Sequence, residues 1–415
     1  MGAVGHHSTA PPSPFLGAVH TPAPQADPGR RLRRSVPLGV ALVAVTLGIF
    51  VSATSSVPLR AGPPGAPRGA AIGPTSIKKP VGPGDGPANP DAPALIPEPD
   101  QNQPDAFVFA SKSGYFLYSS QTSIFTPPIV VSYSKVLGRW PSPRPAMTLD
   151  PSWATPGFTW APDVSRIDGR YVLYFDALAN PSYPGAQGQC LGAATATKAA
   201  GPFVPTPSPL VCQPAFGGAI DPRTFVGPAG GHWLLWKSDE NSDFQGPTDV
   251  THLFSQRLSR NGLSVVGPQF ELLSADEEWQ HRIVEAPDLV EVDGTYWLFY
   301  SGGWFNKPYY AIGLARCPGP AGPCTDLSPT PWLASNTQGR GPGEESLFVD
   351  REGRTWMVYS PTALLSEASV RPIALVRVAL TPAGPELLAP ILPRTEVGTA
   401  RPSTGHRRAC RCEVH

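Results

Sequence analysis

At 415 residues the chain is long enough to bury one large core or two ordinary ones. Its 32 basic and 32 acidic residues cancel, leaving neither the basic footprint of a nucleic-acid-binding protein nor the acidic excess of a solvating tail. The 42 glycines and 54 prolines exceed ordinary usage, and the prolines crowd the first hundred residues, so part of the chain is not globular.

Residues 1–35 form a basic N-terminal segment that ends in Arg30, Arg31, Arg33 and Arg34. An uncharged apolar run follows over 36–53. This is the pattern of an export signal whose basic flank stays in the cytoplasm. The run is short for a bilayer span and contains Pro37, Gly39 and Gly48, so it fits both a cleaved signal peptide and an uncleaved transmembrane anchor. Residues 54–100 carry twelve prolines and no helical or strand periodicity, as expected of an extended linker. The rest of the chain is expected outside the cell, secreted or tethered to the membrane by residues 36–53. There Cys190 with Cys212 and Cys317 with Cys324, two locally spaced pairs, would form disulfides.

Over residues 101–395 a pattern repeats five times: an acidic residue, an alternating apolar stretch, a glycine turn, then an aromatic-rich alternating stretch. The turn glycines are Gly114, Gly169, Gly231, Gly294 and Gly353, at intervals of 55, 62, 63 and 59 residues. Each copy reads as a β-hairpin, and the spacing leaves room for four short strands. The expectation is an all-β, five-bladed β-propeller with no second domain. Residues 396–415 are expected to be a disordered tail, and its Cys410 and Cys412 are assigned no function.

Blades related by rotation bring the starts of their innermost strands to one channel mouth. The repeat puts Asp105, Asp163, Asp221, Glu285 with Asp288, and Glu344 with Glu345 at or near those positions. Carboxylates gathered in one funnel repel each other. Such crowding keeps one protonated while another stays ionised, as the acid and base of glycoside hydrolysis require.

Four stretches, taken in order, resemble glycoside hydrolase family 43, which includes arabinanases, α-L-arabinofuranosidases and β-xylosidases: Gln-Pro-Asp105-Ala-Phe, Trp160-Ala-Pro-Asp163, Ala-Ile-Asp221-Pro, and Glu285-Ala-Pro-Asp-Leu-Val. The resemblance covers 101–395. It implies an inverting hydrolase with Asp105 as general base, Glu285 as general acid, and Asp221 tuning and orienting the acid. It implies a polysaccharide or oligosaccharide substrate containing arabinose or xylose, and a monomer is expected. Trp160, Asp163 and Arg371 are the candidate substrate-binding residues. Each has a structural alternative: a core aromatic for Trp160, a cap on local backbone NH groups for Asp163 and likewise for Asp288, and a surface ion pair for Arg371. The chain departs from the family at Gly341-Pro-Gly-Glu344, where many members carry histidine. The family's central site is therefore not carried over. No metal ligand is assigned and no cofactor is required; a carboxylate suits a hard cation, but nothing in the pattern supports a structural calcium.

Two rival readings stand beside this one. A glycan-binding propeller without activity would have lost a catalytic carboxylate, and all three are present. A fructan hydrolase would retain configuration through a nucleophile. A glycoside phosphorylase would need a basic phosphate site, for which His281 and Arg282 beside Glu285 are the candidates.

Overall fold

The computed structural model describes residues 102–184, 188–242, 250–336, 340–361 and 371–388. The expected signal or anchor, the linker and the C-terminal tail lie outside them. Among the described residues no helix is long and apolar enough to cross a membrane; the helices are three 3-10 turns of three residues each.

Five antiparallel sheets follow one another along the chain. The first contains β1 (Phe107–Ser111), β2 (Gly114–Ser120), β3 (Ile129–Ser134) and β4 (Arg144–Met147). The second contains β5 (Ala154–Ile167), β6 (Arg170–Ala179), β7 (Gln189–Ala196) and β8 (Val204–Pro205), with β9 (Val211–Cys212) also on β7. The third is β10 (Ala219–Val226), β11 (His232–Ser238), β12 (His252–Leu258) and β13 (Val265–Ser274). The fourth is β14 (Val284–Val292), β15 (Thr295–Gly302), β16 (Ala311–Cys317) and β17 (Thr325–Asp326), and the fifth β18 (Ser346–Val349), β19 (Thr355–Tyr359), β20 (Ala374–Thr381) and β21 (Gly384–Leu388). This is the expected five-bladed propeller.

The hairpins form because their turn residues tolerate positive φ. Asp168-Gly169 and Asp293-Gly294 have both residues left-handed, as a two-residue hairpin turn requires. In the third blade the left-handed residue is Gly230, not Gly231, because the turn spans Gly227 to Gly231 and closes through Gly230.

Aromatic and β-branched residues on the blade faces build one buried apolar cluster at each of the five junctions. Trp153, Phe175 and Ile129 join blades one and two, and Phe225, Leu289 and Leu298 join three and four. Val108, Leu117, Phe348 and Val358 close the ring between blades five and one. Each such side chain contributes roughly 1.5–3 kcal/mol by leaving water. Polar latches add to the closure: the Gln103 NH donates to the Arg371 carbonyl at 3.1 Å, and the Arg371 NH to Asn102 Oδ1 at 2.9 Å. Both expected disulfides are present, Cys190–Cys212 across the β7–β9 pair and Cys317–Cys324 at the end of β16.

Candidate active site

The site is made by a bulge repeated around the ring. Proline offers no NH to a strand ladder, and Pro162, Pro222 and Pro287 each sit where the inner pairing skips. The residue before each proline is left-handed: Ala161, Asp221 and Ala286, with φ of 49, 55 and 51°. Asp105 and Glu344 take the same conformation at the openings of blades one and five, with φ of 54° in each. A side chain of the preceding blade secures four of these left-handed segments. Ser120 accepts from the Ala161 NH, Asp176 from Asp221, Asp221 from Ala286, and Ser301 from Glu344, at 2.8 to 3.2 Å.

The bulge sorts the acidic residues into two layers. Asp105, Asp221, Glu285 and Glu344 line a cleft of about 460 Å³, together with Trp160, Lys237, Trp304, Phe305 and Arg371. Two residues further along the inner strands, the fully buried Asp163 and Asp288 and the buried Arg223 lie below it. Asp163, expected at the substrate, is absent from the cleft wall. It accepts from the Thr224 hydroxyl at 2.7 Å and the Thr224 NH at 3.3 Å, and faces Arg223 at 3.9 Å. Asp288 likewise accepts from the Leu347 NH at 2.7 Å. Both cap backbone NH groups, but those of the following blade and not local ones, and so tie one blade to the next.

Within the upper layer Asp105 pairs with Arg371 at 2.8 Å and accepts from Ser120 at 2.5 Å. Glu285 takes the Tyr310 hydroxyl on one oxygen at 2.5 Å and the Lys237 ammonium on the other at 3.2 Å. Oxygens of Asp221, Glu285 and Glu344 lie within 4.8 Å of one another, close enough to hold a cation; the chain supplies counter-charge of its own in Lys237 and Arg371. Burial, with Glu285 and Asp105 adding, lifts Asp221 to about 7 against the pull of Lys237. Burial and the charges of Asp221, Asp105 and Glu285 hold Glu344 well above the carboxylate range. Burial works against the charge of Lys237, yet Glu285, Asp239 and Asp221 outweigh it and raise its proton affinity. The cluster therefore retains protons near neutral pH beside a paired Asp105.

The model of the glycosyl hydrolases family 43 matches residues 96–381. The chain belongs to that family. Among curated relatives it is 26% identical over 162 residues to xylosidase/arabinosidase 43A of Humicola insolens, covering 36% of this chain and 47% of that protein. It is 21% identical over 265 residues to an extracellular exo-α-(1→5)-L-arabinofuranosidase of Streptomyces avermitilis, covering 61% of this chain and 53% of the relative. The chain thus spans about half the length of these relatives. A solved thermostable family-43 glycoside hydrolase superimposes with a TM-score of 0.62 at 21% identity, over 70% of this chain and 95% of the other. The endo-arabinase of Bacteroides thetaiotaomicron does so at 0.55 and 20%, over 69% and 98%. At such identities the superpositions speak for the fold.

Against the family pattern, the structure brings Asp105, Asp221, Glu285, Trp160 and Arg371 to one cleft and sends Asp163 beneath it. Trp160 is half-buried on the cleft wall, with Phe158 edge-on at 6.2 Å. His281 and Arg282 are exposed and outside the wall, His281 against Tyr309 at 4.0 Å. Two further residues of the cluster, Lys237 and Tyr310, escape the sequence pattern. Lys237 had a signal: a lone cation in the apolar run Leu234-Leu-Trp-Lys237, paired in register with Ile220 beside Asp221. Tyr310 had none.

Proposed function

We propose that this family-43 domain is an inverting glycoside hydrolase acting outside the cytoplasm on glycans that contain arabinofuranose, xylose or galactofuranose. One observation carries the reading: Asp105, Asp221 and Glu285 meet in the wall of a single cleft, with Glu344 crowded against the Asp221–Glu285 side. Glu285 protonates the leaving oxygen, and Asp105 takes the proton of the attacking water as Arg371 orients it. Asp221, with an oxygen within 4.8 Å of one on Glu285, orients the acid and tunes it by its charge. Lys237 and Tyr310 already point donors at Glu285, where negative charge develops as its proton departs. Trp160 gives a flat face for a sugar ring. Relatives support the sugar class: one is named a xylosidase/arabinosidase, one an arabinofuranosidase, and a third, from Aspergillus niger, a β-D-galactofuranosidase, 24% identical over 58% of this chain and 66% of its own length. The two disulfides and the extracellular Streptomyces relative support export.

The test is a panel of aryl arabinofuranosides, xylosides and galactofuranosides together with arabinan. Asp105→Asn is expected to lose about 10²–10⁴-fold in kcat on every substrate the wild type cleaves. Glu285→Gln should lose that much only where the leaving group is poor. Proton NMR of the first-formed sugar should show the inverted anomer; retention would make Asp105 a nucleophile. A wild type that binds oligosaccharides and cleaves none replaces this reading with the glycan-binding propeller.

A further inference from the structure

We propose that Tyr310 and Glu344 form a proton relay that recharges Glu285 after each turnover. The proposal rests on the hydrolase reading and deepens it. Tyr310 stands immediately before β16 and is fully buried. Its hydroxyl lies 2.5 Å from Glu285 Oε1 and 3.2 Å from Glu344 Oε1. One phenol carries one proton, so it can donate to only one of these carboxyls and must accept from the other. The shorter contact puts its proton on the Glu285 side. Glu344, when protonated, then completes a chain from its own O–H through the phenol oxygen to Glu285.

Inverting hydrolysis leaves a deficit that this chain repairs. Glu285 ends the reaction as a carboxylate, its proton gone to the leaving alcohol, and Asp105 ends it protonated by the split water. In the relay the Glu344 O–H bond breaks as an O–H bond forms on Tyr310, and the original phenol proton moves to Glu285. Tyr310 is unchanged, Glu285 is an acid again, and Glu344 is a carboxylate. Glu344 lines the same cleft as Asp105, so the proton on Asp105 reaches it through cleft water and both end as they began. No further reactant is consumed.

The geometry is held from several sides. The Glu344 NH donates to Ser301 at 2.9 Å. Gly343 backs the Tyr310 ring so closely that an added Cβ would stand 2.0 Å from its Cε1. The charged groups around the relay are Asp105 and Arg371 at the ring closure, Asp221 on β10, Lys237 on β11 and Glu285 on β14. Burial and the three other carboxylates keep Glu344 protonated well above its ordinary range, with Arg371 opposing, so the donor is loaded when Glu285 is empty. Burial also holds the Tyr310 hydroxyl well above its usual range, which disfavours a free phenolate and favours the two transfers occurring together.

Tyr310→Phe and Glu344→Gln test the relay on a substrate with a poor alkyl leaving group and on its 2,4-dinitrophenyl counterpart, which needs no acid. On the poor leaving group both variants should lose about tenfold or more in the kcat plateau, and on the activated one less than about threefold. Tyr310→Phe also removes a donor that stabilises the Glu285 carboxylate. Its alkaline limb should therefore rise while its plateau falls, a combination a merely structural hydrogen bond does not produce. A raised limb with a full plateau overturns the relay, as do equal losses on both substrates. If Tyr310→Phe does not fold, Glu344→Gln decides, since an amide has no proton to release; a wild-type plateau in that variant overturns the relay and leaves the hydrolase reading intact. A wild type inert on both substrates removes reading and relay together.

Discussion

Lys237 shows how one side chain outside the inner strands governs the site. It is fully buried, touches Glu285 at 3.2 Å and Asp239 at 3.6 Å, and follows the apolar run Trp233–Trp236 of its strand. Its charge is tolerated because those carboxylates, with Asp221, repay its lost hydration. Lys237→Met leaves Glu285 and Asp239 buried without their cation, which favours their protonated forms. The alkaline limb of the pH–rate profile should move up, and unfolding by urea should show a loss of about 3–5 kcal/mol. An unmoved limb would mean that Lys237 does not act on the acid.

At the scale of the strand, the repeated bulge decides which residues meet solvent and which become internal ties. The lower layer follows from it. Burial lifts Asp163 to about 6 and Asp288 to about 7, while Arg223 and neighbouring NH groups pull both down; burial lifts Glu345 to about 8 against Ser301. All three are raised, so the folded chain binds more protons than the unfolded one between pH 4 and 8. Their stabilising contribution is complete below their unfolded values near 4 and declines as pH rises through 6 to 8. Melting temperature should fall from pH 5 to pH 8.5, and Asp288→Asn, which keeps an acceptor for the Leu347 NH, should flatten that slope. An unchanged slope in the variant would discount this layer.

The same bulge marks the limit of what was legible beforehand. Hairpins could be read because Asp-Gly pairs and aromatic return strands are local signals, and Asp105, Asp221 and Glu285 because they open those hairpins. Asp163 was misplaced because Trp160-Ala-Pro-Asp163 and Glu285-Ala-Pro-Asp288 look like mouth residues, while the skipped ladder at each proline drops their aspartates a layer. Tyr310 was invisible because its importance depends on Glu344, thirty-four residues further on and one blade away.

At the largest scale, the five described blades close in a ring whose seam falls at the candidate cleft. The described blades are contiguous stretches of chain, so blades five and one meet through apolar packing and the latches around Arg371 rather than through an exchanged strand. Arg371 thus has two roles: its backbone fastens the start of the first blade and its guanidinium holds Asp105. Thermal fluctuation that parts this seam separates Asp105 from its partner while every sheet stays hydrogen-bonded. Heat should therefore abolish turnover several degrees before far-UV circular dichroism registers loss of strands, and the lost activity should return on cooling. Coincident curves would show that the ring fails as one body. In practical terms, staying active when warm should depend on Asn102 and Gln103 as much as on the size of the core.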